Sequence, residues 1–155
     1  MKVKKILLGV MCILSTFLLT GCVKKTVITT EDFKSKTQNY SLISQDVSAQ
    51  YAEHNDIVKE ATVAMDTAGW QIEFYVLATA TDAKNMYQTN YEKFSKTNDA
   101  ANVTSEVNMM NYSTYSLTTT DSYKYISRVD NTLLYVDVNI SAKEEVKAIV
   151  EALGY

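Results

Sequence analysis

The stretch that decides the fold is SYKYISRVDNTLLYVDVN, residues 122–139. Two runs rich in aromatic and β-branched residues flank Asp130-Asn131, a pair that tolerates the positive φ of a two-residue turn. This turn places Lys124 opposite Asp137, and a slip by one residue would scramble both faces of the pair. The other predicted pairs are Val129–Thr132, Ser127–Leu134, Tyr125–Val136, Tyr123–Val138 and Ile126–Tyr135. The sequence therefore predicts an antiparallel hairpin.

Further strands are predicted on both sides of this hairpin. Residues 111–119 (NYSTYSLTT) supply a third strand beside it. Upstream, residues 57–66 and 70–79 flank a TAG turn in which Gly69 provides a positive φ. Residues 41–47 predict one more strand next to that pair. Each half of the chain is thus expected to form a small antiparallel meander.

The upstream pair has a predicted register of its own, in which Met65 lies opposite Trp70. One face then holds Val63–Ile72 and Ala61–Phe74, and the other holds Ala64–Gln71, Thr62–Glu73 and Glu60–Tyr75. The first face is apolar and the second mixed, which is typical of a half-buried antiparallel pair.

Two helices are predicted before and between the meanders. The first begins with Thr30 as N-cap, has acids in its first turn, and ends near Gln38. The second has Thr81 as N-cap and an apolar stripe at three- and four-residue spacing. This stripe consists of Ala83, Met86, Tyr87, Asn90, Tyr91 and Phe94. Residues 98–105, which are small and polar, predict a loop.

A third helix is predicted at the end of the chain. Ser141 and Glu144 have the spacing of a capping box, and Gly154 is a typical helix stop. The apolar face of this helix consists of Val146, Ile149, Val150 and Leu153. The sequence therefore predicts an α+β fold: an antiparallel sheet of five to six strands with two or three helices packed on one face. The repeated order of elements is compatible with an internal duplication.

The amino terminus has the pattern of a secretory signal. Lys2, Lys4 and Lys5 precede an apolar run over residues 6–19, which is too short to span a bilayer. Leu19-Thr20-Gly21-Cys22 follows and resembles the lipobox of bacterial lipoprotein precursors. The resemblance implies cleavage before Cys22, a diacylglyceryl group on its sulfur, and a protein held at the outer face of the cell membrane.

The predicted organisation is a lipoprotein signal peptide over residues 1–21, a lipid-anchored tether over 22–29, and a single α+β domain over 30–155. Two acyl chains give stable anchoring, whereas one chain binds only reversibly. In size, lipobox and α+β pattern, the chain resembles small lipoproteins of Gram-positive bacteria that have no assigned function. That likeness includes no diagnostic motif in the mature domain.

Composition excludes several classes of function. Cys12 lies in the predicted signal and Cys22 would be acylated, so the mature domain has no thiol for a disulfide, a nucleophile or a metal. Loss of the three signal lysines changes 15 basic and 18 acidic residues to 12 and 18, a net charge of −6. This acidic balance disfavours nucleic acid as a partner. We expect no cofactor and no metal site.

Catalytic motifs are also weak. His54 is the single histidine, in AEHND, and is interpreted as a solvated loop residue because no motif places a nucleophile beside it. Glu73 and Asp137 could form a carboxylate pair only by chance, and Asp137 has a simpler role as the partner of Lys124. The glycines are explained by the signal and by turns, which disfavours a nucleotide enzyme.

Tyrosine is in excess in the second meander, where Tyr112, Tyr115, Tyr123, Tyr125 and Tyr135 lie. Tyrosine suits strands, and Tyr123 and Tyr125 fall on the predicted buried face. Tyrosine rings can also stack on sugars or contact proteins. The predicted contact surface lies on the other face of the hairpin and consists of Tyr135, Arg128, Ile126 and Leu133.

These features predict a non-catalytic binding or interaction module. Its expected partners are the membrane, through the lipid anchor, and a cell-wall polymer or another envelope protein. The alternatives are a cell-envelope hydrolase that uses carboxylates and a structural or regulatory partner of another membrane protein. An enzyme would require acids converging in a cleft, whereas a binding module would require an exposed contact site.

Overall fold

The computed structural model of the chain describes residues 24–97 and 102–155. The predicted signal peptide, Cys22 and residues 98–101 of the predicted loop lie outside the described residues. The elements are α1 Thr30–Gln38, β1 Ile43–Asp46, β2 Val58–Met65, β3 Gln71–Leu77, α2 Ala80–Ser95, β4 Val103–Asn108, β5 Tyr112–Thr118, β6 Ser122–Val129, β7 Thr132–Asn139 and α3 Lys143–Leu153. Two short 3₁₀ helices, Ser48–His54 and Ile140–Ala142, complete this part of the chain.

All seven strands form one antiparallel sheet in the order β1-β2-β3-β7-β6-β5-β4. The two predicted meanders therefore lie side by side, and β3 pairs with β7 where they meet. The α+β class and the single antiparallel sheet are confirmed, but the sheet has seven strands rather than five or six. The strand predicted over residues 41–47 is β1, which pairs with β2.

The helices cover both faces of the sheet, so the prediction that they pack on one face is wrong. The core beneath α1 and α3 includes Phe33, Phe74 and Val146. The core beneath α2 includes Leu77, Tyr87 and other side chains of the opposite face. The reason lies in the central strands: β3, β6 and β7 carry buried side chains on both faces and need a helix layer on each.

The β6–β7 hairpin has the predicted register. Every predicted pair is present, from Val129–Thr132 at the turn to Tyr123–Val138. Asp130 adopts a positive φ of 47° in the two-residue turn. Lys124 Nζ and Asp137 Oδ2 lie 2.5 Å apart and form the predicted ion pair.

The β2–β3 pair is shifted by one residue from the prediction. Met65 lies opposite Gln71 rather than Trp70, and Val63 therefore lies opposite Glu73. The cause is the turn. The Asp66 N–H donates to the Trp70 carbonyl at 2.9 Å, which leaves a three-residue loop of Thr67-Ala68-Gly69 with Gly69 at a φ of 91°. The full set of shifted pairs also contains Glu60–Val76, Ala61–Tyr75, Thr62–Phe74 and Ala64–Ile72.

The first helix has a different cap from the predicted one. Thr29, not Thr30, is the N-cap of α1, and its hydroxyl accepts from the Asp32 N–H at 3.1 Å. The Asp32 carboxylate accepts from the Thr29 N–H at 3.0 Å and completes a capping box. Thr30 is instead buried, and its hydroxyl donates to the Glu60 carboxylate.

The second helix begins two residues earlier than predicted. Thr79 is the N-cap of α2 in place of Thr81, because its hydroxyl accepts from the Asp82 N–H at 3.1 Å. The predicted apolar stripe is confirmed: Ala83, Tyr87 and Phe94 are buried, and Met86, Asn90 and Tyr91 are half-buried.

The predicted Ser141–Glu144 capping box is absent from the third helix. Ser141 lies in the second 3₁₀ helix, where its N–H and hydroxyl both donate to Asn139 Oδ1, at 3.0 and 2.9 Å. α3 starts after Ala142 without a side-chain cap. Its predicted apolar face is buried, and Gly154 ends the helix at a φ of 89°.

Candidate functional site

A groove opens on the α2 face of the sheet, at the side formed by β1, β2 and β3. α2 packs over β3, β5, β6 and β7, while the first 3₁₀ helix packs on β2. Between the 3₁₀ helix and the strands β1, β2 and β3 lies a cavity of about 230 Å³. We call it the Tyr51–Tyr75 groove, and it is lined by Gln45, Val47, Gln50, Tyr51, Val63, Met65, Gln71, Glu73 and Tyr75.

Backbone and hydroxyl contacts hold the 3₁₀ helix against the sheet and so position Tyr51. Ser48 Oγ accepts from the Ala61 N–H at 2.9 Å, and the Val47 N–H donates to the Ala61 carbonyl at 2.8 Å. The Asp46 carboxylate accepts from the Ser48 N–H at 2.8 Å, and this hydrogen bond lowers the pKa of Asp46. Tyr51 is therefore presented from a fixed turn rather than from a free loop.

A chain of hydrogen bonds runs along the floor of the groove. The hydroxyls of Tyr51 and Tyr75 lie 2.9 Å apart, and the Tyr75 hydroxyl donates to Glu73 Oε2 at 2.5 Å. Gln71 Nε2 donates to the other carboxylate oxygen of Glu73 at 2.9 Å. The Tyr51 and Tyr75 rings meet edge to face with centroids 5.7 Å apart. These contacts fix the orientation of the Glu73 carboxylate.

The groove has a negative electrostatic character. Burial raises the pKa of Tyr75 well above its ordinary value, and the hydrogen bond to Glu73 raises it further. Tyr75 therefore remains a neutral donor to Glu73. Glu73 forms no ion pair within the part of the chain that the structure describes, and the described lining residues include no base. The carboxylate is thus available to a ligand.

The contact surface predicted on β6 and β7 is covered by α2, so its predicted exposure is wrong. Ile126 and Leu133 are 0% exposed, and Arg128 is 7% exposed. Tyr135 is half-buried, and its ring lies 5.4 Å from that of Phe94 on α2. Ile126, Leu133 and Tyr135 belong to the core on which α2 packs, and Arg128 lies opposite Leu133 on the same face.

Two polar atoms in this covered region lack hydrogen-bond partners among the described residues. They are Arg128 Nε and the Tyr87 hydroxyl. Burial raises the pKa of Tyr87, and the nearby Arg128 charge opposes that rise in part. Arg128 is thus a buried cation without a carboxylate partner in residues 24–97 and 102–155.

The other predicted chemical groups do not come together. His54 is exposed at the end of the first 3₁₀ helix rather than in a loop. Glu73 and Asp137 project from neighbouring strands on the same face, but Asp137 is paired with Lys124 and does not line the groove. No group of three metal-ligating side chains occurs within residues 24–97 and 102–155. Tyr123 and Tyr125 are buried in the α1–α3 core, as predicted.

Sequence reasoning missed the groove because its residues come from four separate elements, namely β1, the first 3₁₀ helix, β2 and β3. Gln45, Tyr51 and Glu73 are far apart along the chain, and the predicted register of β2 and β3 placed Glu73 opposite Thr62. The sequence of β3 did contain a pattern that could have indicated the groove, because Gln71, Glu73 and Tyr75 alternate on one face. The correct three-residue turn would have placed them beside Met65 and Val63.

Comparison with known proteins identifies no family. No protein-family model matches the chain, and no curated protein matches it. A solved structure of a GTP binding regulator from Thermotoga maritima is similar, with a TM-score of 0.49 and 12% sequence identity over 82% of this chain and 88% of that chain. A likeness of this size supports no argument about function. No helix in the described part of the chain is both long and apolar enough to cross a membrane.

Proposed function

We propose that the chain is a membrane-anchored, extracytoplasmic lipoprotein whose domain is a non-catalytic binding module. The observation that carries the binding role is the Tyr51–Tyr75 groove. Its carboxylate, Glu73, is oriented by two hydrogen bonds and has no cationic partner among the described residues. A polar group that has a fixed orientation and no cationic partner is typical of a ligand site.

The chemistry of the groove favours a small ligand that is neutral or cationic and rich in hydrogen-bond donors. Glu73 accepts hydrogen bonds, and the amides of Gln45, Gln50 and Gln71 both donate and accept. The volume of about 230 Å³ lies below the ~300–1,000 Å³ of drug-sized pockets. It suits one sugar ring of a wall polymer or one side chain of an envelope protein.

The anchoring role rests on the lipobox Leu19-Thr20-Gly21-Cys22 and the apolar run before it. Labelled palmitate fed to cells that express the full chain should appear on the protein. Cys22→Ser should abolish both the label and membrane association. A Cys22→Ser protein that remained equally membrane-bound would contradict the proposed anchor.

A hydrolase that uses two carboxylates is less well supported. Such an enzyme needs two acids that face a common substrate. Among the described residues that line the groove, Glu73 is the single acid, and Asp137 is held by Lys124.

The binding role can be tested by NMR titration of the mature chain carrying Cys22→Ser. Suitable probes are N-acetylglucosamine oligomers, muropeptides and spermidine. We expect shifts centred on Tyr51, Glu73 and Tyr75, and at least tenfold weaker binding for Glu73→Gln. Glu106→Gln is the matched control, because Glu106 lies on the same face but outside the groove.

Shifts located elsewhere, or equal losses in both variants, would contradict the assignment of the groove. Cleavage of any of these probes by the purified protein would favour the hydrolase.

A further inference from the structure

The first described residues form a strap, residues 24–29, that is docked on the domain. Asn111 holds this strap by two hydrogen bonds: its Nδ2 donates to the Lys25 carbonyl at 2.8 Å, and its Oδ1 accepts from the Lys25 N–H at 3.3 Å. The Lys25 ammonium lies 5.1 Å from the centre of the Tyr112 ring. Ile28 is buried in the α1–α3 core. The strap is therefore part of the folded domain from Lys25 onward.

Asn111 belongs to the tip of the β4–β5 hairpin, residues 109–111, and the tip exposes two large apolar side chains. Met110 is 91% exposed and Met109 is 48% exposed. Val107 near the tip and Val27 on the strap are also exposed. Exposed apolar side chains concentrated in one place mark a contact with a partner or a lipid surface.

The short stretch of chain between Cys22 and the strap indicates that the exposed hairpin tip contacts the membrane. Cys22 precedes Lys25 by three residues, and an extended chain spans at most ~3.6 Å per residue, so their Cα atoms lie within about 11 Å. Lys25 is bound to Asn111, the neighbour of Met110. An acyl chain on Cys22 therefore brings the hairpin tip to the lipid surface.

We infer that Met109 and Met110 contact the bilayer and orient the domain on it. This inference rests on the proposed acylation of Cys22. The two methionines place flexible apolar side chains at the boundary between headgroups and acyl chains, where interfacial segments bury ~5–10 Å deep. Lys24 and Lys25 suit an anionic surface, while Asp130, 3.5 Å from Asn111, opposes it. The contact therefore depends on apolar burial next to the anchor.

The test uses the full chain, lipidated in a bacterial host and reconstituted into phosphatidylethanolamine–phosphatidylglycerol vesicles. Cys12 is removed and Cys22 acylated, so Met110→Cys introduces a single thiol for an NBD fluorophore. Ala68→Cys is the control, because Ala68 is exposed in the β2–β3 turn at the opposite end of the sheet. We expect shallow nitroxide lipids to quench the label at position 110 at least threefold more than the label at 68.

Asn111→Ala supplies a second comparison, since loss of the strap contact should reduce quenching at position 110. Asn108→Ala is its matched control, because that amide donates to Glu106 and not to the strap. Equal quenching at positions 110 and 68 in protein that floats with the vesicles would overturn the orientation and leave the anchor intact. Blue-shifted emission at position 110 without lipid quenching would also overturn it, in favour of a protein partner. Protein that does not float with the vesicles would overturn the anchor, and with it the inference.

Discussion

Among single residues, Arg128 stands out because its charge is buried without an acid paired to it in residues 24–97 and 102–155. Its side chain lies beneath α2, the residue is 7% exposed, and Nε has no hydrogen-bond partner among the described residues. Buried charges cost several kcal/mol of desolvation and are usually paired. Arg128 therefore contributes packing through its aliphatic stem rather than stability through its charge.

Arg128→Met should leave the free energy of unfolding unchanged within about 1 kcal/mol, or raise it, because an apolar side chain of similar length avoids the desolvation cost. Urea denaturation followed by circular dichroism measures this. Ile126→Ala on the same strand face is the comparison, with an expected loss of about 2–5 kcal/mol from the cavity. A loss above about 2 kcal/mol in Arg128→Met would mean that the charge has a stabilising partner.

Thr29 is the second residue whose role can be measured. Its hydroxyl and the Asp32 carboxylate form the capping box of α1, so Thr29→Ala should lower the free energy of unfolding by about 1 kcal/mol. Thr26→Ala in the exposed part of the strap should have no effect. If the two variants were equally stable in urea denaturation, the cap would contribute nothing.

Among the elements, β6–β7 shows what a sequence pattern can determine. Its two-residue turn allows one register, and an ion pair and an aliphatic face both agree with it. The β2–β3 pair had no such agreement. Its turn could hold three or four residues, and the pattern of apolar side chains was compatible with either register. The wrong choice also concealed the groove, because it placed Glu73 opposite Thr62 rather than Val63.

β4 was not predicted because it has no buried face. All six of its residues are exposed, so the alternation that reveals other strands is absent. The sequence of the β6–β7 hairpin alone also could not predict that α2 covers the predicted contact surface. It depends on where α2 packs, which is set by tertiary contacts.

The position of β4 predicts its dynamics. It is an edge strand without a packed face, so its amides should exchange with deuterium far faster than those of β6 and β7 in the centre of the sheet. NMR-detected hydrogen exchange compares them directly. Protection of β4 equal to that of β6 would show that the edge is covered by another chain.

For the whole molecule, the two cores share one sheet. The α1–α3 core and the α2 core lie on opposite faces of the same central strands. Detachment of either helix layer from the sheet would expose buried side chains of β3, β6 and β7. We therefore expect the domain to unfold as a single cooperative unit.

Alkaline pH should destabilise the domain. Burial, with Asp137 and Glu73 nearby, raises the pKa of Tyr135 to about 12. Burial also raises the pKa values of Tyr75, Tyr87, Tyr123 and Tyr155. A folded-state pKa above the unfolded value gives stability that is complete below about pH 10 and is lost as the pH rises through the folded pKa.

The free energy of unfolding in urea should therefore fall between pH 10 and 12, and Tyr135→Phe should reduce that slope. The absorbance of tyrosinate at 295 nm reports the same titration. A stability that stayed constant from pH 8 to pH 12 would contradict these shifted values.

The docked strap also limits the distance from the membrane surface at which the groove can bind a ligand. The groove lies near β2 and the strap is held beside β5, four strand spacings away, which is about 20 Å. Because at most about 11 Å separates the Cα atoms of Cys22 and Lys25, a lipidated protein would sample only a thin layer of space just above the headgroups. Molecules that diffuse within that layer are within its range, whereas material deeper in a thick wall would have to be delivered to it.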